Sequence, residues 1–509
     1  MNHFMTSFGE FSSIIYTILG LMFVVMFYRF GTRKRRLLED AFPGMTGPKP
    51  MFLFGHTVDL IKAKGQIHEH FDVYYKKYGQ LFALSFFGSP ALVVSDPEMI
   101  KDICVKNFDC FYERTTKFTM PKPLDRALNI AHGETWKRIR NTLSPSFSAH
   151  KLKGMTSLIN LICDKLMERI DKVAASGKSV DIVSYQQTAT LDAIMSIAFG
   201  VQTDFQNNPN DPIMQKAIRA MKPSALNITM QNIILPYLPY GRKLPTSQFG
   251  SHFFFKDILE FVDLAQSVLD ERRKLGKDTY KDFLDLMINA TNPEEPDNHK
   301  LSDDDIIAQC VIFLLAGYET SSTTLALTCY YLAAKPEIQE KVQQEIDRVW
   351  PDEEEVPTYD AINDLHYLDM VISETLRLCP PGLMLMRECT KPCIVKGIKI
   401  PKDCPILVPA YSIHRDPKIY PEPETFDPER FSAEGKLSRD PYSYLPFGHG
   451  PRNCIGMRFS RMEMKMMLAR LLKRISLSMT PETKKPKLVS KATLTVDGSI
   501  FLGVEKRVK

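Results

Sequence analysis

No sign of charge dominates this chain: 65 Lys+Arg against 60 Asp+Glu leave a formal +5 over 509 residues. That near-balance argues against a nucleic-acid binder, which needs a basic footprint. The ten cysteines form no repeating pairs, which excludes a small disulfide-stapled module and fits reduced thiols in a cytosolic compartment. Cys379, Cys389, Cys393 and Cys404 do not fall into two short chelating pairs, which argues against zinc. There is no internal repeat and no Gly-x-Gly-x-x-Gly fingerprint for a flavin or dinucleotide. What is present suits a large core: 44% hydrophobic and 25% charged residues. The length, about three times the ~150 residues of a common domain, allows several domains or one large catalytic unit.

Charge is missing altogether from residues 11–28, FSSIIYTILGLMFVVMFY, a run of the ~17–25 residues that cross a bilayer as a helix. Arg29, Arg33, Lys34, Arg35 and Arg36 follow it, and no Lys or Arg precedes it. This bias puts residues 1–10 in a lumen and the following domain in the cytosol. A cleaved signal peptide would carry its base ahead of the apolar run and end at a small-residue site. An uncleaved single-pass anchor over residues 11–28 is therefore expected, with a buried core helix as the other alternative. Residues 29–50 read as a basic stop and a stiff hinge, because three prolines and two glycines crowd residues 42–50. Residues 51–509 follow as one domain. Asn227-Ile228-Thr229 and Asn289-Ala290-Thr291 are formal glycosylation acceptors that stay bare in this topology.

Helical spacing prevails in that domain, over residues 136–140, 151–170, 253–274, 303–334, 337–349 and 365–378. Two β-rich runs within 81–94 flank Gly88-Ser89-Pro90 as a hairpin, and residues 393–409 look like a second small β unit. The expected class is mainly α with small β units. The acidic runs at 293–296 and 352–355 read as solvated loops.

The helix expected over 303–334 would be ~45 Å long, enough to cross a domain. Ser302 caps it, and Asp303, Asp304 and Asp305 occupy the first turn, where the helix dipole favours carboxylates. Its middle, Ala316-Gly317-Tyr318-Glu319-Thr320-Ser321, sets a glycine, a carboxylate and hydroxyls in an apolar run. The glycine alone costs ~1 kcal/mol there, and such local conflicts collect at functional sites. The plainer alternatives are a second membrane span, or a core helix whose hydroxyls bond back to its own carbonyls.

The other singular segment is Phe447-Gly448-His449-Gly450-Pro451-Arg452-Asn453-Cys454-Ile455-Gly456, which leads into an amphipathic helix over 457–474. Cys454 lies at that helix's N-terminus with Arg452 nearby, a setting that favours thiolate and hence a soft metal. The glycines let a flat cofactor approach the backbone, and Arg452 can pair with a carboxylate of that cofactor. Cys104, Cys110, Cys163, Cys310 and Cys329 read as small buried hydrophobes.

These segments resemble the cytochromes P-450, the haem-thiolate monooxygenases, over nearly the whole chain from the hinge onward. The cysteine loop is similar to the family's haem-binding signature, and residues 316–321 resemble its oxygen-activation motif. Glu374-Thr375-Leu376-Arg377 resembles the Glu-x-x-Arg of its K helix, and Phe426-Asp427-Pro428-Glu429-Arg430-Phe431 the element that locks onto it. The resemblance implies a P-450 fold, a single haem domain behind the anchor. It makes Cys454 the axial ligand of haem b, which favours O–O cleavage, and makes Phe447 the shield of that sulfur. It gives Trp136, Arg140, Arg387, Arg452 and Arg114 to the haem propionates, and Gly450, Gly456, Ala316 and Gly317 to contact with the cofactor. Thr320 and Glu319 become a hydroxyl–carboxylate relay that delivers protons to bound oxygen through water.

Residues 136–140, 143–147, 316–320, 367–370 and 450–459 look most like the animal microsomal branch that oxidises drugs and steroids. That likeness implies an endoplasmic reticulum membrane enzyme with lipophilic substrates. Its electrons come from NADPH through cytochrome P-450 reductase, a flavoprotein, with cytochrome b5 as a second candidate donor. Lys137, Arg138, Arg458 and Lys465 are expected to form the basic docking face. Residues 108–128 and 220–255, rich in Phe, Met, Pro and Leu, should line an apolar pocket, with 233–240 dipping into the membrane. A haem-thiolate isomerase of the thromboxane-synthase kind and a haem protein without turnover are the alternatives. The Glu319-Thr320 pair argues against both.

Overall fold

A computed structural model describes the chain except residues 1, 64, 87, 115–119, 222–229, 231–234, 236–246, 276–281, 291–300, 353–354 and 508–509. The segment 233–240 thus lies outside the described residues but for Leu235, as does the first glycosylation acceptor.

Helix α1 (Asn2–Gly31) leaves its apolar side chains from Tyr16 to Phe30 exposed. It meets the domain through Phe27 and Tyr28 against Phe52. The basic stretch that follows continues as α2 (Arg33–Ala41), which lies on the hairpin of β1 (Leu81–Phe86) and β2 (Ser89–Val94). The hinge is pinned beside them, the Ala83 N–H donating to the Thr46 carbonyl at 3.0 Å.

The helical body contains α3 (Gly133–Leu143), α4 (Ala149–Ser176), α5 (Ile182–Ile194), α6 (Gln248–Leu275), α7 (Asp303–Ala334), α8 (Pro336–Val349) and α9 (His366–Leu378). Helix α7 runs through the middle of the largest apolar core, packed along α5, α6 and α9. It is apolar enough to cross a membrane, yet 67% of its most apolar stretch is buried inside the domain. Of the alternatives for this segment the core helix holds and the second membrane span fails. Ser302 and Asp305 form a reciprocal capping box at its start. Asp305 also pairs with Arg126 at 3.0 Å and Arg138 at 2.8 Å, so the acidic first turn does more than cap.

Past α9 come β3 (Leu385–Glu388), β4 (Cys393–Val395), β5 (Ile398–Ile400) and β6 (Pro405–Val408). Residues 393–409 do not make one β unit as expected. β4 and β5 form a separate antiparallel hairpin, while β6 joins the first hairpin in the order β1-β2-β6-β3. It pairs parallel to β2, Leu92 opposite Ile406, and its four residues are all buried, as a central strand requires. Helix α10 (Met457–Arg474) follows the cysteine loop and packs against α4, α7 and α8.

Candidate active site

Where the centre of α7 faces the cysteine loop, the chain encloses a cavity of about 400 Å³. It brings together Cys454, Phe447, Arg452, Gly456, Ala316, Gly317, Thr320, Trp136, Arg140 and Arg114 of the expected site. The remaining wall is chiefly apolar, including Leu128, Phe147, Ile194, Phe283 and Phe313. Leu128 comes from the segment after residue 108 and Phe147 from the short turn Ser144–Phe147 that follows α3, so the 108–128 expectation holds at its end. Among the described residues the 220–255 segment contributes nothing to the wall.

The loop is shaped by its glycines. Gly448 and Gly450 have φ of 67° and 78°, and a Cβ at Gly450 would overlap the Cys104 carbonyl. Only glycine takes that backbone without strain against so close a neighbour. The Cys454 N–H donates to the Phe447 carbonyl at 2.9 Å, which closes the loop on itself. On α7, a Cβ at Gly317 would come within 2.9 Å of Ile194, so glycine there lets α5 and α7 touch. Ala316, in the middle of a core helix, is exposed, and its surface belongs to the cavity wall.

Cys454 is likewise exposed to the cavity rather than to the outside. Desolvation pushes its thiol up; a Gly456 N–H bond and the guanidiniums of Arg140 and Arg114 oppose this without overcoming it. Arg452, expected beside the sulfur, is not among the groups that lower it. Arg452 is turned to Ala131 and Trp136, its guanidinium 4.5 Å from the indole ring centre. A bound metal ion is what deprotonates a thiol so placed.

Four guanidiniums converge at one edge. Desolvation, with Arg387 next in order, pushes Arg114 down to about 10. Desolvation and then Arg114 push Arg452 down to about 9. Among the described residues, buried Arg452 has no hydrogen-bond partner for Nε or Nη1, and neither has Arg387 for Nε. Buried guanidinium N–H groups without acceptors are costly. Carboxylates of a flat cofactor would supply the missing acceptors, so the residues present fit a haem with its propionates at this edge and its iron on Cys454. Arg387 itself is behind the wall, donating to the Met386 and His449 carbonyls. Arg140, on the cavity wall, grips Asn453 with its two amino groups, at 2.9 Å on the carbonyl and 2.8 Å on the side chain.

Glu319 and Thr320 part company. The Thr320 hydroxyl, on the cavity wall, donates to the Ala316 carbonyl at 2.6 Å. The Glu319 carboxylate is buried on another face of α7, where Thr493 donates to it at 2.6 Å. A carboxyl lies behind the wall elsewhere: Ser321 lines the cavity and donates to buried Glu463 of α10 at 2.9 Å. Burial pushes Glu463 up to about 8, which keeps it neutral at ordinary pH. The sequence carried a signal for it, one acid between Met462 and Met464 on a buried helix face.

Glu113 carried no such signal. It accepts from His132 and from the Gly133 N–H at the start of α3, both at 2.6 Å, and lies 3.6 Å from Arg452. Of the basic face, Lys137 and Arg458 are exposed. Arg138 is paired with Asp305, and Lys465 is buried, donating to the carbonyls of Ile362 and Asn363. Those two are tied to the interior and are not available for docking.

A lone cysteine at the floor of an apolar cavity, with unpartnered guanidiniums at its edge and a hydroxyl-bearing helix across it, defines the haem-thiolate class of site. The chain belongs to the cytochrome P450 family, whose model matches residues 45–501. It is 39% identical to cytochrome P450 3A41 of Mus musculus over 497 residues, 96% of each chain. Cytochrome P450 3A2 of Rattus norvegicus is 39% identical over 497 residues, again 96% of each. Cytochrome P450 3A5 of Homo sapiens is 39% identical over 491 residues, 95% of each. The chain is accordingly a monooxygenase that uses haem b, takes NADPH-derived electrons from a redox partner and acts on lipophilic substrates. This membership does not favour the isomerase alternative.

Proposed function

We propose that this protein hydroxylates steroid-, fatty-acid- or drug-sized apolar molecules in the ≈ 400 Å³ cavity between α7 and the cysteine loop. The observation that carries this reading is the set of open guanidinium N–H groups on Arg452, which lines the same cavity as Cys454, with that of Arg387 behind the wall. When bound, haem would supply oxygen activation; Cys454 would hold its iron, and Trp136, Arg114 and Arg452, backed by Arg387, would hold its carboxylates. Arg140 fixes the loop through Asn453. Thr320 holds a proton at the cavity wall, and Phe447 and Gly456 pack around the sulfur. Glu319 acts through the placement of α7, its carboxylate being taken by Thr493. The apolar wall orients substrate without a fixed polar constellation, which suits a broad range of ligands.

Helix α1 anchors the enzyme in the endoplasmic reticulum membrane with the domain in the cytosol. The exposed apolar stretch from Tyr16 to Phe30 and the neighbouring exposed Met51, Phe52 and Phe54 support this. Glycan on Asn289 would overturn the orientation. The docking face for a flavoprotein reductase, with cytochrome b5 as second donor, is centred on Lys137 and Arg458. Raised salt should slow electron transfer if these charges steer the encounter, and a salt-independent rate would count against them.

The deciding experiment supplies heavy-isotope oxygen gas, NADPH and reductase to membrane-reconstituted protein with a mixture of steroids, fatty acids and amines. Label in a hydroxylated product, lost in Cys454→Ser, is the expected result. Conversion of endoperoxides without NADPH, and no label, would sink the proposal.

A further inference from the structure

The cavity wall near the start of α7 is not regular structure. Leu128 and Asn129 reach it from residues 121–131, a run of turns whose longest regular piece is the single turn Leu124–Arg126. Buried main-chain groups in such a run must find partners outside it. One side chain supplies two of them. Gln309 of α7, fully buried, accepts from the Leu128 N–H at 2.8 Å and donates to the Arg126 carbonyl at 2.9 Å. Its amide also donates to the Asp305 carbonyl, one turn back on α7, at 3.0 Å, which fixes the side chain on its own helix.

The chemistry of the grip is specific. A primary amide carries a donor and an acceptor side by side, so it meets the carbonyl of one residue and the N–H of the second residue after it as a neighbouring strand would. Asparagine would stand one methylene short, and an ionised glutamate would keep the acceptor but offer no donor. The same run is tied twice more: Arg126 pairs with Asp305 at 3.0 Å, and the Ala131 carbonyl accepts from Arg452. Gln309 precedes Ala316 by two helical turns, about 10 Å, on the face that carries Ala316 and Thr320 to the cavity. Gln309 does not line the cavity itself.

We propose that Gln309 is a positioning residue: by holding the main chain at Leu128 it sets that part of the cavity wall, and so selects which carbon of an apolar substrate is oxidised. This rests on the reading of the cavity as the substrate site. A wall that is chiefly apolar orients its ligand by shape, and a displacement of about 1 Å in one wall side chain changes the geometry a bound molecule presents. Gln309 thus acts on the product without touching the substrate.

The test uses full-length, membrane-reconstituted holoprotein with reductase and NADPH, and two probes, progesterone as a rigid steroid and lauric acid as a flexible chain. Gln309→Met removes both hydrogen bonds at similar volume and should shift the ratio of positional product isomers severalfold. That ratio is independent of how much of the enzyme is folded. Leu128→Ala should also move the ratio, yet add little in the Gln309→Met background, because the wall there has already shifted. Additive shifts would mark Gln309 as a general support of the fold and overturn the proposal. Amide hydrogen exchange gives a readout without turnover: the Leu128 N–H should exchange roughly tenfold faster in Gln309→Met, with α10 unchanged. Exchange equal to that of the wild type would equally overturn it. Gln309→Glu carries both measurements if Gln309→Met does not fold; it keeps the acceptor for Leu128 and should move the ratio by less. No product from the wild type with either probe would overturn the reading of the cavity, whereas product with an unmoved ratio in the variants would overturn this proposal alone.

Discussion

Two regions of this molecule bury arginines equally well and use them oppositely. Arg377 is fully buried, and every one of its nitrogens has an acceptor. Nε and Nη2 reach the Glu374 carboxylate at 2.7 and 2.8 Å, and Nη1 and Nη2 reach the His414 and Thr425 carbonyls. Glu374 in turn accepts from the Asp427 N–H at 2.9 Å and lies 3.5 Å from Arg430. Arg452 is 2% exposed, yet two of its nitrogens face no acceptor. Burial alone does not tell a structural arginine from a binding one; the tally of acceptors and a place on the cavity wall together do. Arg377 closes the fold with every acceptor supplied by the chain, whereas Arg452, on the cavity wall, keeps N–H groups open for an anion.

The largest effect should come from the closed cluster. Arg377→Ala leaves Glu374 buried without its counter-charge, at a cost of about 3–5 kcal/mol. Thermal unfolding and yield of the full-length protein should both collapse. Wild-type melting would erase the contrast between the regions. Arg452→Ala should spare the fold and weaken haem retention roughly ten- to a hundredfold, the worth of charge-assisted hydrogen bonds of about 1.5–3 kcal/mol. The ratio of haem to protein after dialysis against apomyoglobin measures it.

The α7 pair sharpens the comparison within one helix. Thr320→Ala should keep its haem and send most reducing equivalents to peroxide, whereas Glu319→Gln, whose carboxylate faces Thr493, should change the product-to-peroxide ratio severalfold less. Equal uncoupling in the two variants would restore a direct proton role to Glu319.

Glu463 is an intermediate case, a buried acid with one hydroxyl donor. Between its ordinary value of 4.5 and about 8, the unfolded chain holds this group ionised while the folded chain keeps it protonated. The folded state therefore binds more protons, and stability falls as pH rises through that window, by up to about 1.4 kcal/mol per pH unit from this group. Glu463→Gln should flatten the slope. Urea midpoints measured across the window, identical in slope for both proteins, would place the carboxyl in contact with water.

Sequence made the two chemical segments legible because each breaks a local rule within ten residues: glycine and a carboxylate inside an apolar helix, and a cysteine among glycines. The helix boundaries at 303–334 follow for the same reason, from a cap and an uninterrupted apolar run. Helix α5 was not legible. It is buried on nearly every side, with Thr188, Thr190 and Asp192 inside, so it shows no apolar stripe to mark a period. The parallel pairing of β2 with β6 joins residues some three hundred positions apart, and no local signal encodes it. The same distance hides the fates of side chains. Arg138 meets Asp305, Lys465 meets the 362–363 turn, and Glu319 meets Thr493 only once the chain has folded.

The grip of Arg140 on Asn453 has a mechanical side. Asn453 is bonded covalently to Cys454, and Arg140 holds it by main chain and side chain together. Lys137 lies one turn earlier on the same helix and faces outward. The outer surface of α3 and the sulfur are thus the two ends of a short lever. A load placed on the helix from outside is transmitted through one guanidinium to the residue that adjoins the sulfur.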